Sequence, residues 1–93
     1  MKPSPIIALN RAIALAELHG PRVGLDALET IAGHEILEGY HHYPAALGEL
    51  HLRLGEVEIA ASFFARAIAI TSSPAERRLL ERKLKECKIP HRT

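Results

Sequence analysis

The sequence holds one cysteine, no tryptophan, two tyrosines, two phenylalanines and a formal net charge of only +1. A lone Cys87 excludes an intramolecular disulfide and fits a reducing compartment. With aromatics at 4%, Ala, Leu and Ile must do the packing, which suits closely spaced helices better than strands rich in β-branched and aromatic residues. The small net charge argues against a strongly polyanionic partner for the domain as a whole. No apolar run approaches the roughly 18 residues of a membrane span. The opening "MKPSPIIALNR" also lacks the apolar core and cleavage site of a secretory signal. The expectation is a cytoplasmic location and no membrane contact. A Met1 so near the first helix also fits a segment cut from a larger protein.

Catalytic and metal-binding patterns are equally scarce. The six histidines include "YHHY", but there is no Cys pair and no H-E-x-x-H, and His34, His41, His42 and His51 lack the spacing of a zinc site, so no metal is expected. Cys87 lies near a helix end whose dipole disfavours thiolate, and Ser62, Ser72 and Ser73 sit in no nucleophile turn. No glycine-rich phosphate loop occurs. No catalytic residue, cofactor or enzymatic activity is expected.

What is present is helix-forming sequence with clear punctuation. At 93 residues the chain has room for one domain and one core. Ser4-Pro5 reads as an N-cap followed by proline at the first helical position, opening a helix that runs to His19. Gly20-Pro21 ends it and starts a second, with Leu25, Leu28 and Ile31 or Ala32 on one side. "GHEILEGYHHY" (33–43) reads as a linker with room for a short helical turn. A third helix extends from Tyr43-Pro44 to Gly55. A fourth, from Glu56 to Thr71, carries Ile59, Ala60, Phe63, Phe64, Ala67 and Ile68 as a wide apolar face. "SPAE" (73–76) has the form of a reciprocal capping box and opens a fifth helix with Leu79, Leu80 and Leu84 on its buried side.

A repeat underlies this order. Ala12, Gly24, Leu28 and Ile31 are matched 36 residues later by Gly48, Ala60, Phe64 and Ala67. The spacing predicts antiparallel helix hairpins in which small residues, Gly48 facing Ala60 and Ala12 facing Gly24, allow close approach. Residues 45–74, with Leu47-Gly48, Gly55, Ala60, Phe64, Ala67 and Pro74, resemble a tetratricopeptide repeat. The departures are His51 where that repeat prefers Tyr, no aromatic before Leu47, and a late proline. Residues 5–32 match as a degenerate copy. The predicted fold is all-α: a single domain over residues 1–93, tetratricopeptide-like units at 5–32 and 43–74, and a capping helix at 74–88.

A narrower resemblance covers nearly the whole chain. "SPIIALNRA", the Tyr-His segment, "LG" before an Ala-rich helix and the final "AERRLL" look similar to the C-terminal helical extension of bacterial extracytoplasmic-function RNA polymerase sigma factors. That resemblance implies a non-catalytic module acting in transcription initiation or its regulation, with a protein partner in the sigma factor or the polymerase. The alternative is a tetratricopeptide scaffold or peptide-binding module unrelated to transcription. Carboxylate-clamp repeats place Asn after the small residue of the first helix, whereas Ile13 and Glu49 stand here, so that clamp is rejected. The concave face of the first and third helices is expected to present Asn10, Arg11, Glu17, Glu49 and Arg53 to a partner. From Ala75 onward seven Lys or Arg are interleaved with three Glu, without the braced reading helix or aromatic platform of nucleic-acid binders. No sequence-specific DNA binding is expected.

Overall fold

A computed structural model describes residues 4–31, 34–37 and 39–88. The described residues are all-α: α1 (Pro5–His19), α2 (Pro21–Glu29), the short α3 (His34–Leu37), α4 (His42–Arg53), α5 (Val57–Ile70) and α6 (Pro74–Lys88). Helices α1 and α2 form one antiparallel hairpin, α4 and α5 a second, and α6 packs on α5. Stacking in one direction gives a body of 49 × 31 × 18 Å.

The joints follow from residue chemistry. Ser4 Oγ accepts the Ile7 N–H at 3.4 Å, capping α1. Gly20 has φ 100° and ψ 164°, a region essentially confined to glycine. Its N–H donates to Ala16 O and its carbonyl accepts from Gly24 N–H, so one residue both closes α1 and opens α2. Gly55, at φ 81°, makes the corresponding turn after α4. The second helix is shorter than expected: it ends at Glu29, and the Thr30 N–H and hydroxyl both bond to Ala27 O. Ile31 is buried beyond it, while Ala32 lies outside the described residues.

Before α6 the capping box is only half made. Glu76 N–H donates to Ser73 Oγ at 3.2 Å. The Ser73 N–H goes not to Glu76 but to Thr71 Oγ1, also at 3.2 Å. Thr71 is buried, and its carbonyl accepts from Arg77 Nη2, so the turn is organised by threonine and the Glu76 carboxylate is released for another role.

Two apolar clusters hold the stack together. The first joins Leu9, Ala12 and Ala16 of α1 to Leu25 and Leu28 of α2, then to Ile31, Leu37, Tyr43, Leu47 and Leu50. The second joins Ala60, Phe64 and Ala67 of α5 to Leu80 of α6, flanked by Ala45, Leu52, Ile68, Leu84 and Cys87. Leu9, Leu28 and Phe64 are among the largest fully buried side chains, each worth about 1.5–3 kcal/mol relative to an exposed position.

Several packing expectations need correction. A Cβ at Gly48 would lie 2.9 Å from Phe64 Cε1, so the missing side chain makes room for a ring. The atoms nearest a Cβ at Gly24 belong to Ala16 and Leu50. At Gly48 a small residue receives a large one and at Gly24 a small residue meets another small one, the partner in each case set by axial register. Leu79 is 45% exposed and Ile59 44%, so neither belongs to the buried face assigned to it. Phe63 packs against the first cluster and stacks on His51 with centroids 5.5 Å apart and planes 12° from parallel. The His51 that departs from the repeat's Tyr thus supplies a ring at the same place.

Candidate functional site

Helices α1, α4 and α6 stand side by side along one concave face and enclose an open groove of about 460 Å³. From α1 come Asn10, Ile13 and Glu17; from α4 His42, Ala45, Ala46, Glu49, Leu50 and Arg53; from α6 Glu76, Leu79, Leu80 and Lys83. Tyr40 and Phe64 complete the lining. The centre is aliphatic, and two of its residues, Ile13 at 38% and Leu79 at 45%, expose apolar surface that no described residue covers.

Charged groups cross this face in an alternating chain. Arg53 Nη2 lies 3.0 Å from Glu17 Oε1, tying α4 to α1. Arg53 Nε is 4.0 Å from Glu49 Oε1, and Glu49 Oε2 is 2.9 Å from Lys83 Nζ, tying α4 to α6. Glu17 and Arg53 are 36 residues apart, so the first pair joins equivalent positions of successive repeats. Lys83 lies 34 residues beyond Glu49, and this second pair ties α6 to α4 as the first ties α4 to α1. Each pair is solvent-accessible and contributes little alone. Together they pair both cations of the groove, Arg53 and Lys83, while Glu76 leaves its lining one carboxylate in excess.

Of the residues expected on the contact surface, Asn10, Glu17, Glu49 and Arg53 share this groove. Arg11 does not: it lines a separate hollow between α1 and α2 with Ala8, Leu15 and Thr30. Positions 10, 13 and 17 follow the helical i, i+3, i+7 rule, whereas residue 11 is rotated about 100° away. Sequence reasoning missed Ile13, His42, Leu79 and Lys83 as lining residues. The 34-residue step to Lys83 was the signal available for it.

At one end of the groove the start of α4 meets the start of α6. His41 Nε2 is sealed from solvent without a hydrogen-bond partner among the described residues, and Glu76 Oε2 stands 3.9 Å from it. The His41 and His42 rings lie 4.0 Å apart, with Tyr40 edge-on to His42 at 5.0 Å. Desolvation, followed by the neighbouring His42, holds the His41 imidazole below its ordinary pKa, with Glu76 opposing both. Outside the groove, His51 Nδ1 and Glu56 Oε1 are 2.8 Å apart.

The serines and the cysteine have structural surroundings. Ser62 Oγ donates to Ile59 O one helical turn back, and Ser73 Oγ caps α6. Burial first, then Glu86 and Glu49, push the Cys87 thiol up, against a smaller opposing effect of Lys83. No helix among the described residues is long and apolar enough to cross a membrane.

No protein-family model matches the chain, and no solved structure matches it. An uncharacterized protein of Rhizobium meliloti is 37% identical over 76 residues, which amount to 82% of this chain and 18% of that protein. The chain therefore spans less than a fifth of the length of the curated relative it matches.

Proposed function

We propose that this chain is a non-catalytic interaction module whose groove receives an amphipathic segment of another protein region, anchored by aliphatic side chains. The observation that carries this reading is the exposure of Ile13 and Leu79 in a groove whose two cations, Arg53 and Lys83, are already paired with Glu17 and Glu49. A strongly acidic partner would have to break those pairs. A helix with apolar anchors at i, i+3 or i+4 need not.

The resemblance to the C-terminal extension of extracytoplasmic-function sigma factors assigns the partner to other sigma regions or to RNA polymerase, in the bacterial cytoplasm. Occurrence of the matching segment within a much longer Rhizobium protein agrees with a module that serves a larger chain. Two basic residues of the final helix are already engaged, Lys83 by Glu49 and Arg77 by the Thr71 carbonyl, which weighs against a DNA-reading role.

The test is a nuclear magnetic resonance titration of the labelled chain with core RNA polymerase subunits and with peptides tiled across the gene that encodes it. Shifts should concentrate on Ile13, Ala46, Leu50 and Leu79, and Ile13→Asp and Leu79→Asp should each weaken binding at least about tenfold, the effect of losing one buried anchor. Binding that ignores both substitutions refutes the groove. Submicromolar, sequence-selective binding of a labelled promoter duplex at about 150 mM salt, where the Debye length is about 8 Å, refutes the protein-contact reading and moves function to α6.

A further inference from the structure

The junction of α4 and α6 has a composition that the groove reading does not use. His41 immediately precedes α4, His42 is its first residue, and Glu76 lies in the first turn of α6. One ligand atom from each of the three lies within 4.8 Å of the other two. Buried polar atoms are almost always partnered, yet His41 Nε2 is closed off from solvent with no hydrogen bond among the described residues. Its separation from Glu76 Oε2, 3.9 Å, is too long for a hydrogen bond. It is short enough for both atoms to bind one ion, since zinc sits about 2.0–2.2 Å from imidazole nitrogen and carboxylate oxygen.

We infer that His41, His42 and Glu76 form a three-ligand site for a divalent first-row transition ion such as zinc. Two imidazoles with one carboxylate suit Zn, Ni, Co or Cu, whereas Mg and Ca take oxygen-dominated shells. Three protein ligands leave a fourth position for water or an incoming group. His42 is exposed and the Glu76 side chain is 38% exposed, so both can close on an ion held against the more buried His41. The half-made capping box explains why Glu76 is available: Thr71 has taken the N–H that its carboxylate would otherwise bind. The pattern is hidden in the sequence because Glu76 follows His41 by 35 residues and only the stacking of α6 beside α4 brings them together. A bound ion would join the two helix starts and fix the position of α6 at this end of the groove.

The experiment uses the full chain without an affinity tag. Calorimetric titration with zinc chloride should show one ion per chain. Imidazole resonances of His41 and His42 should move, while those of His19 and His51 stay. Thermal unfolding should rise with zinc and not with magnesium, as binding to the native state requires. His41→Ala and the conservative Glu76→Gln should each weaken zinc at least about tenfold, comparable to or beyond the 10–100-fold cost of altering even a ligand's supporting partners. His51→Ala, which removes one member of a His–Glu pair elsewhere, should leave the affinity unchanged. The site does not exist if saturable zinc binding is absent, if magnesium acts equally, or if binding survives both His41→Ala and Glu76→Gln in folded protein.

Discussion

Replacing Gly24 by alanine tests how closely α1 and α2 approach. A Cβ on Gly24 would lie 2.5 Å from Ala16 Cβ, 3.2 Å from Ala16 Cα and 3.0 Å from Leu50 Cδ1. Leu50 can turn its methyl aside, but Ala16 has no rotamer to change, so its Cβ moves only with the backbone of α1. Restoring an ordinary carbon–carbon contact of about 3.5–4.0 Å requires the hairpin to open by roughly 1 Å. That would loosen the contacts of Leu9, Ala12, Leu25 and Leu28, all buried within the same cluster. Overpacking of this kind costs about 1–3 kcal/mol. Alanine returns at most about 1 kcal/mol of helix propensity. Because Ala16 cannot yield, the cost lies at the upper end of that range and the net expectation is a loss of about 2 kcal/mol, at roughly 4–8 °C in Tm for each kcal/mol in a domain of this size. Urea denaturation followed by circular dichroism at 222 nm measures it. The exchange variant Ala16→Gly/Gly24→Ala removes the opposing Cβ and should show favourable coupling of about 1 kcal/mol. Gly39→Ala, with nothing within 4 Å of its added Cβ, is the control. A Gly24→Ala chain that unfolds at or above the wild-type midpoint, or an exchange variant that is merely additive, would refute the close contact.

Gly48→Leu and Ala60→Leu should each cost on the order of 1–3 kcal/mol or more by displacing the buried Phe64 cluster, read as a lower midpoint in the same denaturation assay. Ser73→Ala should cost about 1 kcal/mol through loss of the Glu76 N–H bond, and a neutral result would show that Thr71 alone closes this turn. Cys87 should alkylate slowly at neutral pH. Because its pKa in the folded chain is raised, the folded state keeps a proton that the unfolded chain releases, and this contribution to stability is lost as pH climbs above about 9. Iodoacetamide kinetics as fast as those of free cysteine at pH 7 would contradict that environment. A double-mutant cycle on Glu17 and Arg53 should give less than about 1 kcal/mol, since the two side chains are 61% and 40% exposed.

The helices and their joints were legible in the linear sequence because they rest on local chemistry. Ser4, Gly20-Pro21, Gly55 and Ser73-Pro74 all end or start helices where that chemistry places them. The 36-residue offset likewise announced two equivalent hairpins, and four of the five expected contact residues meet in one groove because helical periodicity alone orders Asn10 with Glu17 and Glu49 with Arg53. Tertiary structure decided which residues face one another. Gly48 accommodates Phe64 and Gly24 accommodates Ala16 through axial registers that no intrahelical period encodes. Leu79 and Leu80 are adjacent and chemically alike, yet one faces the groove at 45% exposure and the other the core at 3%, because the angle at which α6 settles on α5 divides them. The meeting of His41 and His42 with Glu76, and of Glu49 with Lys83, is of the same kind: these side chains are remote in sequence and become neighbours only when α6 takes its place beside α4.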